Sequence, residues 1–129
     1  MSEFEIVFED NIYGLYSQVA LFDASTKDSY PQWKTGDENI IFGQRGVVVA
    51  TATDQPIAVS VCKGKGNLAH ILCISGEIFL GDQGFIVGNI ASENKINGTW
   101  HSGLYSVTVY TNGVGTNVTK VVFFVDFLK

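Results

Sequence analysis

Positively charged residues are scarce in this sequence of 129 residues. Eight lysines and arginines, of which only Arg45 is an arginine, stand against 13 acidic residues, and the formal net charge is −5. Proteins that bind nucleic acid through its phosphates carry a basic stripe or patch. We therefore expect no direct contact with nucleic acid, and the acidic balance favours either solubility or a basic partner.

Cysteine is also rare, with Cys62 and Cys73 as the two examples. Two cysteines are too few for a disulfide-rich scaffold, and each lies within an apolar run. We interpret both as buried thiols. A disulfide between them, or a functional thiol, is the alternative.

Long apolar runs are absent as well, because no window approaches 18 uninterrupted apolar residues. We therefore expect no membrane helix and no membrane partner. The first residues, MSEFEIVFED, have neither a basic segment nor a long apolar core, so we expect no signal peptide. These features predict a cytoplasmic protein.

Catalytic motifs are missing from the sequence. The two histidines are His70, within LAHILC, and His101, beside Trp100, and neither belongs to a G-x-S-x-G, P-loop or H-E-x-x-H pattern. His70, Cys62 and Cys73 would supply three metal ligands at best, without paired spacing. We therefore predict a protein that is not an enzyme and has no metal or cofactor. The glycines and lysines at 63–66 are interpreted as an exposed hairpin tip and not as a phosphate loop.

Alternation of apolar and polar residues is the dominant pattern. Phe4, Ile6 and Phe8 alternate with glutamates, which is typical of a half-buried strand, and no helical stripe of useful length occurs. Glycine-bearing turns recur every 8–12 residues or so. The prediction is an all-β fold, an antiparallel β-sandwich of eight or nine short strands forming one domain over 1–129, with a closed barrel as the alternative.

Details of this prediction depend on local residue types. The last strand, 118–127, is apolar on both faces for several residues and should be central in its sheet. Ser75 and Gly76 are expected to permit a bend, and the polar segment 92–98 to form a connection with a short helical turn. Trp100 is interpreted as a core plug at one end of the sandwich.

One connection stands out as a candidate binding site. Residues 23–39 exceed the usual connection length, and connections of that length are usually functional or disordered. Two aromatics argue against disorder, tryptophan is enriched at binding hot spots, and an acidic rim would steer a basic surface towards it. The predicted partner-binding residues are Asp28, Tyr30, Trp33, Asp37 and Glu38. The alternative is that Trp33 caps the core and the carboxylates are merely solvated.

Taken together, several segments resemble the competence protein J family, whose members inhibit a DNA-entry nuclease. An early strand reads VALFDAS, and a proline-bearing loop with a tryptophan and acidic residues reads YPQWKTGDEN. The later segments that carry the resemblance are IIFGQRG, GFIVGNIAS, GLYSVTVYT and the final TKVVFFVDFL. The resemblance covers most of the chain, although each piece is short.

The resemblance implies a protein that binds a DNA-cleaving nuclease and blocks it. Nucleases present basic, metal-bearing clefts, so Trp33 and the nearby carboxylates are the residues expected to occupy one. The alternative is a β-sandwich module with a different protein or carbohydrate partner, which includes association with itself through sheet edges.

Overall fold

Ten β-strands make up most of the described chain. The computed structural model describes residues 3–13, 17–25, 39–66, 72–89, 92–96 and 99–129. A short 3-10 turn at Gly115–Asn117 follows the ninth strand. The strands are β1 Glu3–Tyr13, β2 Gln18–Asp23, β3 Ile40–Phe42, β4 Gly46–Ala50, β5 Pro56–Lys65, β6 Leu72–Leu80, β7 Phe85–Asn89, β8 Ser92–Lys95, β9 Gly103–Thr111 and β10 Lys120–Phe127.

The strands form two five-stranded sheets. Sheet A has the order β1-β5-β10-β9-β6, and sheet B has the order β3-β4-β2-β7-β8. All ladders of sheet B are antiparallel, whereas β5 and β10 in sheet A pair in parallel. The predicted β-sandwich is confirmed. It has ten strands in the described residues, and one parallel pair lies within a mostly antiparallel fold.

Alternating side chains from both sheets fill the core between them. Buried residues of β5, for example, are Ile57, Val59 and Val61, while the residues between them face outward. Val47 and Val49 of sheet B oppose them from the same apolar cluster. The prediction that the last strand is central is confirmed, since β10 is the third of five strands and Phe123 is fully buried.

A bulge in β1 overturns the interpretation of its alternating phenylalanines and isoleucine. The register with β5 shifts between Ile6 and Phe8, because Ile6 pairs with Cys62 and Phe8 pairs with Val61. A bulge reverses which face the following side chains occupy. Phe8 therefore packs against the core, whereas Phe4 and Ile6 lie on the outer face of sheet A and are 41% and 54% exposed.

Three other local predictions are wrong. Residues 63–65 continue β5 opposite β1, with Phe4 paired to Gly64, instead of forming a hairpin tip. Ser75 and Gly76 lie within β6, whose ladder with β9 runs from Leu72 to Leu80 without a register shift. Residues 92–95 form strand β8 and not a helical turn, because they pair with β7 at the edge of sheet B.

Gly76 is required for packing and not for a bend. A Cβ atom there would lie 2.6 Å from the Phe42 ring, which packs against the core from sheet B. We expect Gly76→Val to lower the free energy of unfolding by about 1–3 kcal/mol through overpacking. Urea denaturation measures this, and Glu77→Val, at the exposed neighbouring position, should change it by less than about 0.5 kcal/mol.

Candidate functional site

The predicted partner-binding residues lie outside the described part of the chain. All five, namely Asp28, Tyr30, Trp33, Asp37 and Glu38, fall within 26–38. The structure does describe both ends of this connection, at Asp23–Ser25 and at Asn39. Their assignment as a site therefore stays a prediction, while the geometry of the two attachment points is known.

The two attachment points lie at opposite ends of strand β4. Strands β2 and β3 both run antiparallel to β4, so they point in the same direction. Phe22 pairs with Gly46 at one end, whereas the Asn39 carbonyl accepts a hydrogen bond from the Ala50 amide at the other (2.8 Å). Gly46 and Ala50 are four residue steps apart along β4, which corresponds to about 13 Å.

Asp23 fixes the first attachment point. Its side chain is fully buried, and its carboxylate accepts hydrogen bonds from the Ser25 amide (3.0 Å), the Gly81 amide (3.2 Å) and the Arg45 guanidinium (2.6 Å). The Arg45 guanidinium also lies 4.7 Å from the centre of the Phe79 ring. The Asp23 carboxylate therefore joins the end of β2 to the hairpin between β3 and β4 and to the end of β6 in the other sheet.

These donors determine the charge state of Asp23. Burial on its own raises the pKa of this carboxyl group, but hydrogen bonds from Ser25, Arg45 and Gly81 favour the ionised form. The resulting pKa lies below the usual aspartate value. Asp23 is thus a charged structural residue at the base of the connection.

Sequence reasoning missed an apolar surface on the outer face of sheet A. We call it the outer patch and define it by Phe4, Ile6, Cys62, Val122 and Phe124, contributed by β1, β5 and β10. Outer faces of antiparallel sandwiches usually carry polar side chains. The apolar residues on both faces of β10 were a sequence signal for this surface. The bulge in β1 also creates it, but the bulge could not be located from the sequence.

Aromatic contacts hold the outer patch in place. The Phe124 ring meets Phe4 edge to face at 5.1 Å and Tyr110 at 5.5 Å between centroids. Gly66 makes room for Phe124, because a Cβ atom at Gly66 would overlap that ring. The Tyr110 hydroxyl donates a hydrogen bond to the Gly66 carbonyl (3.1 Å), so Gly66, Tyr110 and Phe124 are in mutual contact in this part of the patch.

Beside these rings lies a pocket of about 490 Å³. Its floor consists of outer-patch side chains, and Glu9 of β1 and Lys120 of β10, both on the outer face of sheet A, border it. Glu9 also accepts a hydrogen bond from the Ser60 hydroxyl (3.4 Å). Glu9 and Lys120 carry opposite charges, so these two side chains add no net charge at the border of the pocket.

Trp100 packs as the sequence predicts, at one end of the core. Its ring meets Phe85 edge to face at 5.1 Å and Tyr105 at 6.0 Å between centroids. The Lys63 ammonium lies 5.0 Å from the indole centre and donates a hydrogen bond to the Thr99 carbonyl. The core-plug interpretation of Trp100 is thus supported by its contacts.

Convergent metal ligands do not occur among the residues that the structure describes, where no group of three His, Cys, Asp or Glu side chains meets. His70 lies outside those residues. His101 is exposed, and its ring lies 5.7 Å from that of Phe127. Within the same residues, no helix is long and apolar enough to cross a membrane.

The two thiols differ in their surroundings. Both cysteines are free, Cys62 is buried as expected, and Cys73 is exposed, which corrects its interpretation as a buried thiol. Its strand β6 is at the edge of sheet A, and Cys73 lies on the outer face. Burial, together with the charge of Glu9, raises the pKa of Cys62 to about 11.

We expect one fast-reacting thiol in the native protein. A pKa about two units above the ordinary thiol value lowers the thiolate fraction of Cys62 about 100-fold, and the thiolate is the reactive form. Titration with a thiol-specific chromogenic reagent at pH 8 should label one cysteine quickly and two after denaturation. Cys73→Ser should remove the fast phase, and survival of that phase in this variant would contradict the assignment.

The fold and these surfaces define a two-sheet β-sandwich with an acidic balance. No protein-family profile matches the sequence, and no curated protein matches it either. Two solved structures are similar in fold. One is ComJ from Bacillus subtilis, an inhibitor of the DNA degrading activity of NucA, with a TM-score of 0.74 over 98% of this chain and 100% of ComJ at 7% identity.

The second similar structure is the protein of Crocagin biosynthetic gene J. The TM-score is 0.59, the identity is 12%, and the match covers 95% of this chain and 97% of that one. At such identities the likeness shows a shared fold. The expectation of a ComJ-like architecture is confirmed, while membership of that family by sequence is not shown.

Proposed function

We propose that this protein binds another protein and acts as an inhibitor of a DNA-cleaving nuclease. The observation that carries the proposal is the likeness to ComJ, which extends over 98% of the chain and all of ComJ. The proposal assigns binding and not catalysis to this chain. It places the contact at the 23–39 connection, with Trp33 and Tyr30 as apolar anchors and with Asp28, Asp37 and Glu38 as the acidic rim.

Charge supports this choice of partner. The chain has a net charge of −5, and its one arginine is already engaged by Asp23 at the base of the connection. A nuclease cleft that holds a DNA backbone is basic, so acidic side chains on a folded protein are complementary to it. Complementary charge raises the association rate most strongly at low salt.

A rigid base also favours binding through the connection. Association costs less free energy when the ends of the binding segment are already held in place. Here the start is fixed by the buried Asp23 carboxylate, and the end by the hydrogen bond between Asn39 and Ala50. Both attachment points belong to sheet B, one at the end of β2 and the other just before β3.

The test is inhibition of plasmid cleavage by purified nucleases, beginning with NucA and including nucleases recovered on a column of the immobilised chain. We expect loss of cleavage that saturates at one chain per nuclease. The assay should use the folded chain at a concentration about 100-fold above a micromolar Kd. If no nuclease is inhibited or captured under these conditions, the proposal is overturned.

The acidic rim is tested with a matched pair of double variants. Asp37→Asn with Glu38→Gln should slow association with the nuclease at low salt, and the difference from the unmodified protein should shrink as salt rises. Asp54→Asn with Glu93→Gln removes the same charge at exposed positions of the described chain and should have little effect. If both double variants slowed association equally, the net charge of the chain, and not the position of Asp37 and Glu38, would account for the association rate.

A further inference from the structure

The connection between β9 and β10 contains a chemically labile pair of residues, Asn112 and Gly113. We propose that Asn112 is a site of spontaneous deamidation whose rate is controlled by folding, because hydrogen bonds in the native connection restrain its side chain. The product is an aspartate or an isoaspartate at residue 112. This inference concerns residues that the function proposed above does not use, and it requires no partner.

Deamidation joins two groups that are neighbours along the chain. The Gly113 amide nitrogen gives its proton to solvent base and forms a bond with Cγ of Asn112. The bond between Cγ and Nδ2 then breaks, and that nitrogen takes up a proton and leaves as ammonia. Water opens the resulting cyclic imide at either carbonyl, which yields aspartate or isoaspartate. Glycine favours ring closure because it has no Cβ atom to hinder the attacking nitrogen.

Three hydrogen bonds restrain the Asn112 side chain in the folded protein. Its Oδ1 accepts from the backbone amides of Thr119 and Lys120, both at 3.0 Å. Its Nδ2 donates to the Thr119 hydroxyl at 2.8 Å. Attack on Cγ makes that atom tetrahedral and turns the carboxamide towards Gly113, which breaks these bonds. Ring closure therefore requires the connection to open first.

The attacking residue is restrained as well. Gly113 is buried, although Asn112 beside it is exposed. The Gly113 carbonyl accepts a hydrogen bond from the hydroxyl of Thr111 at 2.7 Å, and that bond is itself buried. Burial limits the access of solvent base to the Gly113 amide, so the folded state hinders both the proton loss and the bond formation.

Packing explains why the fold carries a labile pair at this place. A Cβ atom at residue 113 would lie 2.9 Å from the carbonyl oxygen of Asn117, so this position requires glycine. At residue 112 a single side chain accepts from two amides and also donates to a hydroxyl. A carboxamide can do both, whereas an ionised carboxylate only accepts. Each residue is thus required by the structure, and the lability follows from their adjacency.

The experiment follows deamidation of the full chain in mildly alkaline buffer, with and without denaturing urea. Mass spectrometry of peptides cut after aromatic residues measures conversion at Asn112 separately from Asn97, which begins the other Asn-Gly pair of the sequence. Asn97 lies outside the described residues and serves as the reference in urea, where both asparagines should react at similar rates. We expect conversion at Asn112 to be at least about tenfold slower in the native chain than in urea.

A matched pair of variants tests the role of the hydrogen bonds. Thr119→Val removes the hydroxyl that accepts from Asn112 and should speed native conversion about three- to tenfold, as expected for one lost hydrogen bond. Thr108→Val removes an exposed hydroxyl of β9 that pairs with Ser75 at 2.9 Å, and it should change the rate less than about twofold. In urea both variants should react like the unmodified chain. Circular dichroism melts establish that each variant is folded.

Three outcomes would overturn the inference. The first is an equal rate at Asn112 in the native and the denatured chain. The second is no conversion at Asn112 in urea while Asn97 reacts. The third is an equal effect of Thr119→Val and Thr108→Val on native conversion. Because no nuclease takes part, each of these results is independent of nuclease inhibition.

Discussion

Replacing Asp23 with alanine should lower the free energy of unfolding by about 3 kcal/mol. The fully buried carboxylate accepts hydrogen bonds from the Ser25 and Gly81 amides and from the Arg45 guanidinium. Alanine would leave two amides and a half-buried cation without this acceptor. Urea denaturation at pH 7, followed by circular dichroism, measures the loss.

A matched control for this prediction exists on sheet A. Asp126 lies 3.7 Å from the Lys65 ammonium, but that lysine is 84% exposed. Exposed ion pairs contribute little, so Asp126→Ala should change the free energy of unfolding by less than about 0.5 kcal/mol. Equal losses from the two substitutions would show that burial of Asp23 is not the source of its contribution.

The contribution of Asp23 should also depend on pH. Its pKa in the folded protein is lower than in the unfolded chain, so the ionised carboxylate stabilises the fold fully above about pH 4. As pH falls through the lowered folded value, this stabilisation is lost. The difference in unfolding free energy between the unmodified protein and Asp23→Asn should therefore be constant from pH 5 to 7 or so and shrink in more acidic solution.

Much of the sandwich could be predicted from the sequence because burial on one or both faces leaves a direct pattern. The apolar residues on both faces around Phe123 and Phe124 indicated a central strand, and β10 is central in sheet A. The β-branched run at Val47–Val49 is typical of a strand, and it forms most of β4. In these elements local preference and tertiary burial agree.

The errors arose where tertiary pairing overrides local residue preference. Glycines and lysines at 63–65 favour a turn, yet pairing with β1 extends β5 through them. Cys73 has apolar sequence neighbours, but it lies on the outer face of an edge strand and is exposed. Neither the partner of a strand nor its position in a sheet is encoded in its own residues.

The outer patch could not have been found for a related reason. A single bulge between Ile6 and Phe8 reverses the faces of β1, and bulges have no reliable signature in a strand without glycine. The proposed site in 23–39 was accessible to sequence reasoning because connection length and aromatic content are visible directly. Its five residues lie outside the described part of the chain, so only measurements on variants can test it.

The largest functional effect is expected from Trp33→Ala. Tryptophan anchors at interface hot spots contribute about 2–4 kcal/mol, so the Kd for the inhibited nuclease should rise about 30- to 1000-fold. Titration calorimetry measures the Kd, and the cleavage assay measures the matching loss of inhibition. Tyr13→Ala, which removes an aromatic residue that is 50% exposed at the end of β1, should leave both unchanged.

Stability distinguishes an anchor from a plug at Trp33. If the indole contacts the nuclease, Trp33→Ala should keep the unfolding free energy within about 1 kcal/mol while affinity falls. If it instead caps the core, truncation should cost about 3–5 kcal/mol, as for other buried aromatic residues. Large destabilisation with unchanged affinity per folded molecule would contradict the assignment of Trp33 to the interface.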